Sequence, residues 1–499
     1  MKNGNFNIKK DFYRNTKLVD DGVVYSNVSC IDHNKAYGFF LGKDVKYAGT
    51  TPHLKETLEK KYQKPVEIIH VLPNIPPPYK NKDKVIVINR HLAAFWAVNP
   101  DQNYFLPVKQ NDLNIQANQS EFLKGIAERI LKNQQDLYVD AFSIGGIDYN
   151  GLIDGQRIHL IGGNPKVFDE YDDKTFQRRL FEKLRVPVPQ GYMANDFDEL
   201  VQKYRDHFFK DHGGKAFVAA SRGSGGNGVA KIYREADLQK LKNKGKYVIS
   251  ELIDVELSPF IMAIADRNGE VSVVGMADQI LDDGTKYRGA ISPSKATKSQ
   301  KEEMIKYAKT IGQSIPKRGL YGTFGVDYMI DKKGNVYVAE SNFRKIGSTA
   351  SIARAYRAEN PDDISLSELE FRGVIEGDFG IDVSNLKLSE KEWAVVVKDA
   401  PKGFQLKNNI KPELGEGGLF KYGGLDFYDF PIKSTIFLED SKMGRAVYVP
   451  QNGNVRESRE KVMGHLKSKL NEVRIDKLPL EKSTTKESLH LNRISTTPS

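Results

Sequence analysis

Cysteine occurs once in this sequence of 499 residues, at Cys30. That excludes an internal disulfide and a thiolate zinc cluster, and it suits a reducing, cytoplasmic setting. Histidine is scarce as well, and none lies between His212 and His465. That whole stretch offers no imidazole base and no histidine-bound metal, so chemistry there must run on carboxylates, amides and cations. No run of about 18 apolar residues occurs, which argues against a membrane-spanning helix. The basic start, "MKNGNFNIKKDFYRN", is followed by no apolar stretch and does not read as a secretory signal. A net charge of +10 is present, but basic and acidic residues are interspersed and no block mixes Lys/Arg runs with aromatics. The excess favours an anionic small molecule such as a nucleotide over a nucleic acid, which would reveal itself by salt-dependent retention on polyanions.

Apolar residues make up 39% of the sequence, enough for folded cores, and the length suits two to four domains. Residues 1–165 alternate strand-like runs ("YGFFLG", "VEIIHVL", "KVIVINR") with helical spacing ("TPHLKETLEKKYQ", "QSEFLKGIAERILKN"), and Thr51 is a candidate cap. Such alternation predicts an α/β domain on a parallel sheet, and "LPNIPPPYKNKDK" reads as an exposed loop. A second domain is expected over 166–375. It opens with a helix capped by Asp172 or Asp173, running to about Leu184 and ended by "VPVPQG". A β-rich accessory domain is expected over 376–472, closing with the helix "VRESREKVMGHLKSKLNEV", and a polar, Ser/Thr-rich, disordered tail over 473–499.

The stretch "SRGSGGNGVAKIY" contains G-x-G-x-x-G at Gly223, Gly225 and Gly228. A dinucleotide site needs a helix directly after the glycines, whereas "VAKIY" is a β-prone run, so these glycines join two strands. A protein kinase also carries a strand-loop-strand glycine loop, and "DFG" occurs at 378–380. The histidine gap rules out the H-R-D loop that must stand between those motifs.

Further on, "FGVDYMI" and "NVYVAESNF" read as the strands of a hairpin turned by "DKKG". Period-two alternation places Gly325, Asp327 and Met329 on one face, and Val338, Glu340 and Asn342 on one face of the partner. Asp327 is expected to pair near Val338, diagonal to Glu340, within reach of a shared cation. Two acids, an amide and Arg344 make a poor core and a good magnesium–phosphate site.

In this order the residues resemble the ATP-grasp enzymes, strongly so over about 165–350. "DDKTFQRRLFEKLRVPVPQG" is similar to that family's helix entry, "SRGSGGNGV" to its glycine-rich lid, and "VDYMIDKKGNVYVAESNFR" to its magnesium hairpin with the E-x-N. "YVISELIDVELS" is similar to its hinge strand. The resemblance implies an α/β (α+β ATP-grasp) fold, with an N-terminal α/β domain, a two-lobed ATP-grasp region and a C-terminal β-rich domain. It is nearest the stand-alone peptide and amino-acid ligases, the pheganomycin type included.

Residue by residue, the resemblance puts Asp327, Glu340 and Asn342 on Mg2+ and Arg344 on the transferred phosphate or the acyl phosphate. Ser224, Gly225 and Gly226 fall in the lid over ATP, with Glu251, Leu252 and Ile253 at the adenine hinge. Glu256 stands at the ribose, one residue off the common spacing, with Asp254 as the alternative. Arg178 matches a position usually held by lysine near the phosphates, and Arg288, beside Tyr287, matches the acceptor loop and would hold a substrate carboxylate. The departure is Ala219, where the family commonly has lysine; Lys215, Arg222 or Lys231 would substitute. The implied activity joins a carboxylate to an amine, an amino acid or peptide, through an acyl phosphate, releasing ADP and phosphate. The alternative is a nucleotide-binding or regulatory protein that keeps the fold without turnover. A membrane partner is not expected, and a homodimer is a possible assembly.

Overall fold

The computed structural model describes residues 23–42, 50–74, 84–89, 104–148 and 157–400, apart from a few positions inside those spans, and strand backbones between 404 and 477. Ser224, Gly225 and Asn227, most of the proline-rich loop and nearly all of the expected helix near 454–472 lie outside the described residues.

The first sheet contains β1 (Val23–Ser26), β2 (Ala36–Leu41), β3 (Val66–Leu72) and β4 (Lys84–Ile88). After β5 (Tyr104–Phe105), which lies elsewhere, β6 (Leu137–Ala141) and β7 (Ile158–Ile161) complete it in the order β1-β4-β3-β2-β6-β7. All neighbours but the β1 edge are parallel. Every residue of β2 is buried, as expected for a parallel strand covered on both faces. The helix Thr51–Tyr62 starts after Thr50 rather than at a Thr51 cap, and it has no side-chain cap. Pro52 explains this, because proline at the second helical position removes a donor that a capping group would use.

The next lobe is a small antiparallel sheet of β8 (Gly191–Ala194), β9 (Ala216–Ala220), β10 (Val229–Ile232) and β11 (Tyr247–Glu251), ordered β10-β9-β11-β8. Leu200, Tyr204 and Phe208 close its core from the helical segment 197–209. Ala219 faces Val229 across the β9–β10 pair, so the glycine loop does connect two strands.

A large antiparallel sheet carries β12 (Val255–Leu257), β13 (Pro259–Ala265), β14 (Val271–Asp282), β15 (Lys286–Ser292), β16 (Gly322–Asp331) and β17 (Val336–Asn342). The helix Lys298–Ser314 buries Met304, Ala308 and Ile311. The fold is thus mixed α/β, with two lobes after the first sheet. The C-terminal strands do not form a sheet of their own: β18 (Trp393–Ala400) pairs with β15 and with the strand Ser441–Tyr448, extending the large sheet. Ile475–Lys477, in the stretch expected as tail, pairs with Phe404–Leu406 in a short sheet that also takes in Ile436–Phe437 and β5. Backbone pairing to a distant strand, invisible in a polar local sequence, orders those residues. Among the described residues, no helix is long and apolar enough to cross a membrane.

Candidate functional site

Three elements converge where the lobes meet. The helix Lys174–Leu184 is capped by Asp173, whose carboxylate accepts from the backbone of Thr175 (2.8 Å) and Phe176 (3.2 Å). Gln177 of this helix is buried and bonds both backbone groups of Ser341 (2.7 and 3.0 Å), locking the helix to β17. Lys174, at the first helical position, donates its ammonium to Glu340 (2.7 Å) and to the carbonyl of Gly223 (3.0 Å).

The hairpin differs in register from the expectation. Asp327 stands directly across from Glu340, Gly325 across from Asn342, and Tyr328 across from Val338. A bulge at Ala339 absorbs one extra residue, so Val338 turns to the core, where it is 1% exposed, instead of sharing a face with Glu340. The two acids are therefore closer than a diagonal pair. Asn342 Nδ2 donates to Asp327 (3.1 Å), while Asn342 Oδ1 accepts from Arg344 (2.9 Å). Burial, then the neighbouring Glu340 carboxylate, pushes the Asp327 carboxyl up to about 7 against the pull of Arg344 and Asn342. Asp172, raised mainly by burial, feels Arg344 and Glu340 as well. Two carboxylates, one of them held high by burial and by its neighbour, with an amide beside them, fit a divalent cation that takes its remaining ligands from water and phosphate.

The ATP-grasp domain family matches residues 171–348, which include all three elements. The stretch 171–348 is thus similar to an ATP-grasp domain. The C-terminal section of the large subunit of carbamoyl phosphate synthase from Methanopyrus kandleri is 22% identical over 272 residues, 52% of this protein and 48% of that one. The butirosin acyl-carrier protein–L-glutamate ligase of Niallia circulans is 26% identical over 203 residues, 38% and 46% of the two proteins. The L-propargylglycine–L-glutamate ligase of Streptantibioticus cattleyicolor is 29% identical over 119 residues, 24% of each. The match thus spans about half the length, or less, of these relatives. Among solved structures, biotin carboxylase from Campylobacter jejuni superposes with TM-score 0.58 at 15% identity, covering 88% of this protein and 92% of that one. N5-carboxyaminoimidazole ribonucleotide synthetase from Thermotoga maritima gives TM-score 0.51 at 17% identity, covering 89% and 99%. Both likenesses establish the fold alone.

Away from the hairpin, the remaining candidates are distributed unevenly. Glu251 ends β11, and its carboxylate accepts from Gln190 N (2.8 Å), joining the end of β11 to the start of its neighbour β8. Leu252 and Ile253 follow, both partly buried. Glu256 is exposed on β12, and Asp254 is ion-paired with Lys332 at the hairpin turn (2.8 Å). Gly226 has φ +90°, and a Cβ there would lie 2.9 Å from Thr285 O, so the glycine loop touches the β14–β15 turn. Arg178 donates to Glu182 (2.6 Å) and to the Pro189 carbonyl (2.5 Å), supporting the run that leads into β8. Arg288 sits on β15 with its guanidinium engaged by Asp282 (3.0 Å) and Asp399, and Tyr287 OH lies 3.3 Å from Ser348 Oγ. The structure brings Asp327, Glu340, Asn342 and Arg344 together and leaves Arg288 in an ion-pair network with β18.

Lys174 is the residue that sequence reasoning misses individually. Its signal is the D-K pair at the helix start, since a cap followed by lysine places an ammonium at the helix mouth. Of the cations considered in place of a lysine at 219, Arg222 pairs loosely with Asp172 (3.7 Å) and Asp173 (4.0 Å). Lys231 reaches the β14–β15 turn, its ammonium 2.9 Å from where a Cβ on Gly284 would stand.

Proposed function

We propose that this protein is an ATP-dependent carboxylate–amine ligase working through an acyl phosphate. The observation that carries the reading is the direct Asp327–Glu340 cross-strand pair, flanked by Asn342 and Arg344 and bridged by Lys174 to the glycine loop. Asp327, Glu340 and Asn342 would hold magnesium, which when bound would offset the charge of the ATP phosphates. Lys174 lies between the glycine loop and the hairpin acids, so it supplies the phosphate cation that Ala219 does not. Backbone amides of the loop containing Ser224, Gly225 and Gly226 close over the phosphates, while Glu251, Leu252 and Ile253 receive the adenine and Glu256 the ribose. Arg178 acts on the nucleotide side by supporting the strand that faces the hinge.

A substrate carboxylate oxygen attacks the γ-phosphorus and ADP leaves. The amine nitrogen then attacks the acyl carbon, the C–O bond to phosphate breaks, and phosphate and a proton are released. Arg344 stabilises negative charge on the transferred phosphoryl group, and no protein nucleophile is required. This agrees with the absence of histidine and cysteine from the region. Arg288 would hold a substrate carboxylate only after exchanging Asp282 or Asp399 for it. The named activities of the glutamate-ligating relatives support an amino acid or peptide as substrate. A pairwise screen of amino acids, small peptides and bicarbonate, read by ADP release and product mass, tests the reading. ADP formation that needs both an acid and an amine supports it, and nucleotide binding without turnover across the screen favours a regulatory role.

A further inference from the structure

The turn that follows the hairpin carries a second, buried set of charges. Lys345 is 5% exposed, and its ammonium is ion-paired with Asp140 and with Glu370 (3.0 Å), themselves 3% and 6% exposed. The three residues belong to three separate places: β6 of the first sheet, the turn after β17, and the helix Leu366–Phe371. Glu370 also accepts from Thr323 N (3.0 Å), which fixes the start of β16.

This set lies one residue from Arg344. Arg344 donates to the Lys345 carbonyl (3.2 Å), and its guanidinium lies over the Phe142 ring, 5.2 Å from the centroid. Phe142 stands two residues after Asp140. One segment of the first sheet therefore grips two consecutive residues, Asp140 holding Lys345 and Phe142 supporting Arg344. Ile346 then folds back on the hairpin so closely that a Cβ on Gly325 would lie 2.5 Å from its Cγ2.

Stability alone does not account for a lysine here. Burying three charged groups costs desolvation that their attraction repays only partly, and apolar residues of similar volume often hold such a place as well. What directional ion pairs supply and apolar packing does not is a fixed position for the backbone of the turn. We propose that Lys345 is a positioning residue: held by Asp140 and Glu370, it sets the turn so that Arg344 faces the hairpin carboxylates and the phosphate to be transferred. The inference rests on the nucleotide reading given above for Arg344. It makes the first sheet part of the phosphate site without touching the nucleotide.

Lys345→Met alone would leave two buried carboxylates without their cation and can fail to fold, so the test uses variants that leave the cluster without net charge. One is the triple change Asp140→Asn/Lys345→Met/Glu370→Gln; the other is Asp140→Asn alone, which leaves Lys345 and Glu370 as a balanced pair. Binding of magnesium-ADP and of a magnesium-bound non-hydrolysable ATP analogue is measured for each, together with amide exchange of residues 341–346. ADP lacks the γ-phosphate and reports the rest of the site. In the triple variant, ADP affinity should stay within about twofold while affinity for the analogue falls about tenfold, as expected when one charge-assisted contact is misplaced. Asp140→Asn should shift the same ratio in the same direction by a smaller factor. Exchange at 341–346 should quicken in both. A folded triple variant with the wild-type analogue-to-ADP ratio would overturn the proposal. Should the wild type bind neither nucleotide, the nucleotide reading itself fails, and unchanged exchange at 341–346 would then overturn the positioning role separately.

Discussion

The ammonium of Lys174 lies 2.7 Å from the carboxylate of Glu340 and 3.0 Å from the carbonyl of Gly223. One lysine thus ties an acid of the hairpin to the glycine loop, across the space where the phosphates would lie. Lys174→Met should raise KM for ATP by about tenfold, the cost of one charge-assisted contact, with little change in melting temperature. Steady-state kinetics at varied ATP check this. An unchanged KM would remove Lys174 from the phosphate site.

Glu340→Gln and Asn342→Ala should each lower magnesium-dependent turnover by at least about a hundredfold. Both residues are partly exposed at the end of β17, so the loss is of charge placement and not of packing. Melting should stay within about 1 °C of wild type, the shift expected for a change of about 1 kcal/mol in a protein of this size. Wild-type activity in Glu340→Gln would withdraw the metal assignment.

Arg222 is exposed, and its two acidic partners stand at 3.7 and 4.0 Å, too far for tight pairing. Cleavage by trypsin after Arg222 should be fast without nucleotide and slowed about tenfold by magnesium and a non-hydrolysable ATP analogue, because closing over phosphates orders the loop. Equal rates with and without the analogue count against a nucleotide flap.

Much of this site is legible from short-range signals. Asp173 before a helix, glycines between two β-prone runs, and two acids in strands joined by "DKKG" each need only their neighbours to be read. The bulge at Ala339 is not legible, since nothing in "VAES" marks an extra residue, and it changes which residue Asp327 faces. Nor is the role of Lys345, which reads as one more basic residue in "NFRKIG" until Asp140, 205 positions away, is placed beside it. Arg288 shows the opposite case. A charge that looks available for substrate is engaged by Asp282 and by Asp399 from the C-terminal segment, a partner that only the long-range pairing of β15 with β18 supplies.

His70 on β3 is buried beside Phe40, ring centroids 6.0 Å apart, and burial lowers its pKa from 6.5 to about 4. With the folded value below the unfolded one, the neutral imidazole contributes stability that is full above about 6.5 and is lost as pH falls toward 4. The loss should approach about 3 kcal/mol. Urea unfolding of wild type and His70→Gln between pH 7 and 4.5 checks this: the wild type should lose more stability on acidification than the variant. Equal losses would contradict it.

The central claim, transfer of the γ-phosphoryl group to a substrate carboxylate at the Asp327–Glu340 hairpin, is tested most directly by isotope transfer. A productive acid labelled with oxygen-18 in its carboxylate is incubated with ATP, magnesium and the amine, and the phosphorus products are resolved by NMR. Label should appear in inorganic phosphate, one oxygen for each amide formed, with ADP as the nucleotide product. Pyrophosphate, with the label in AMP, would contradict the account.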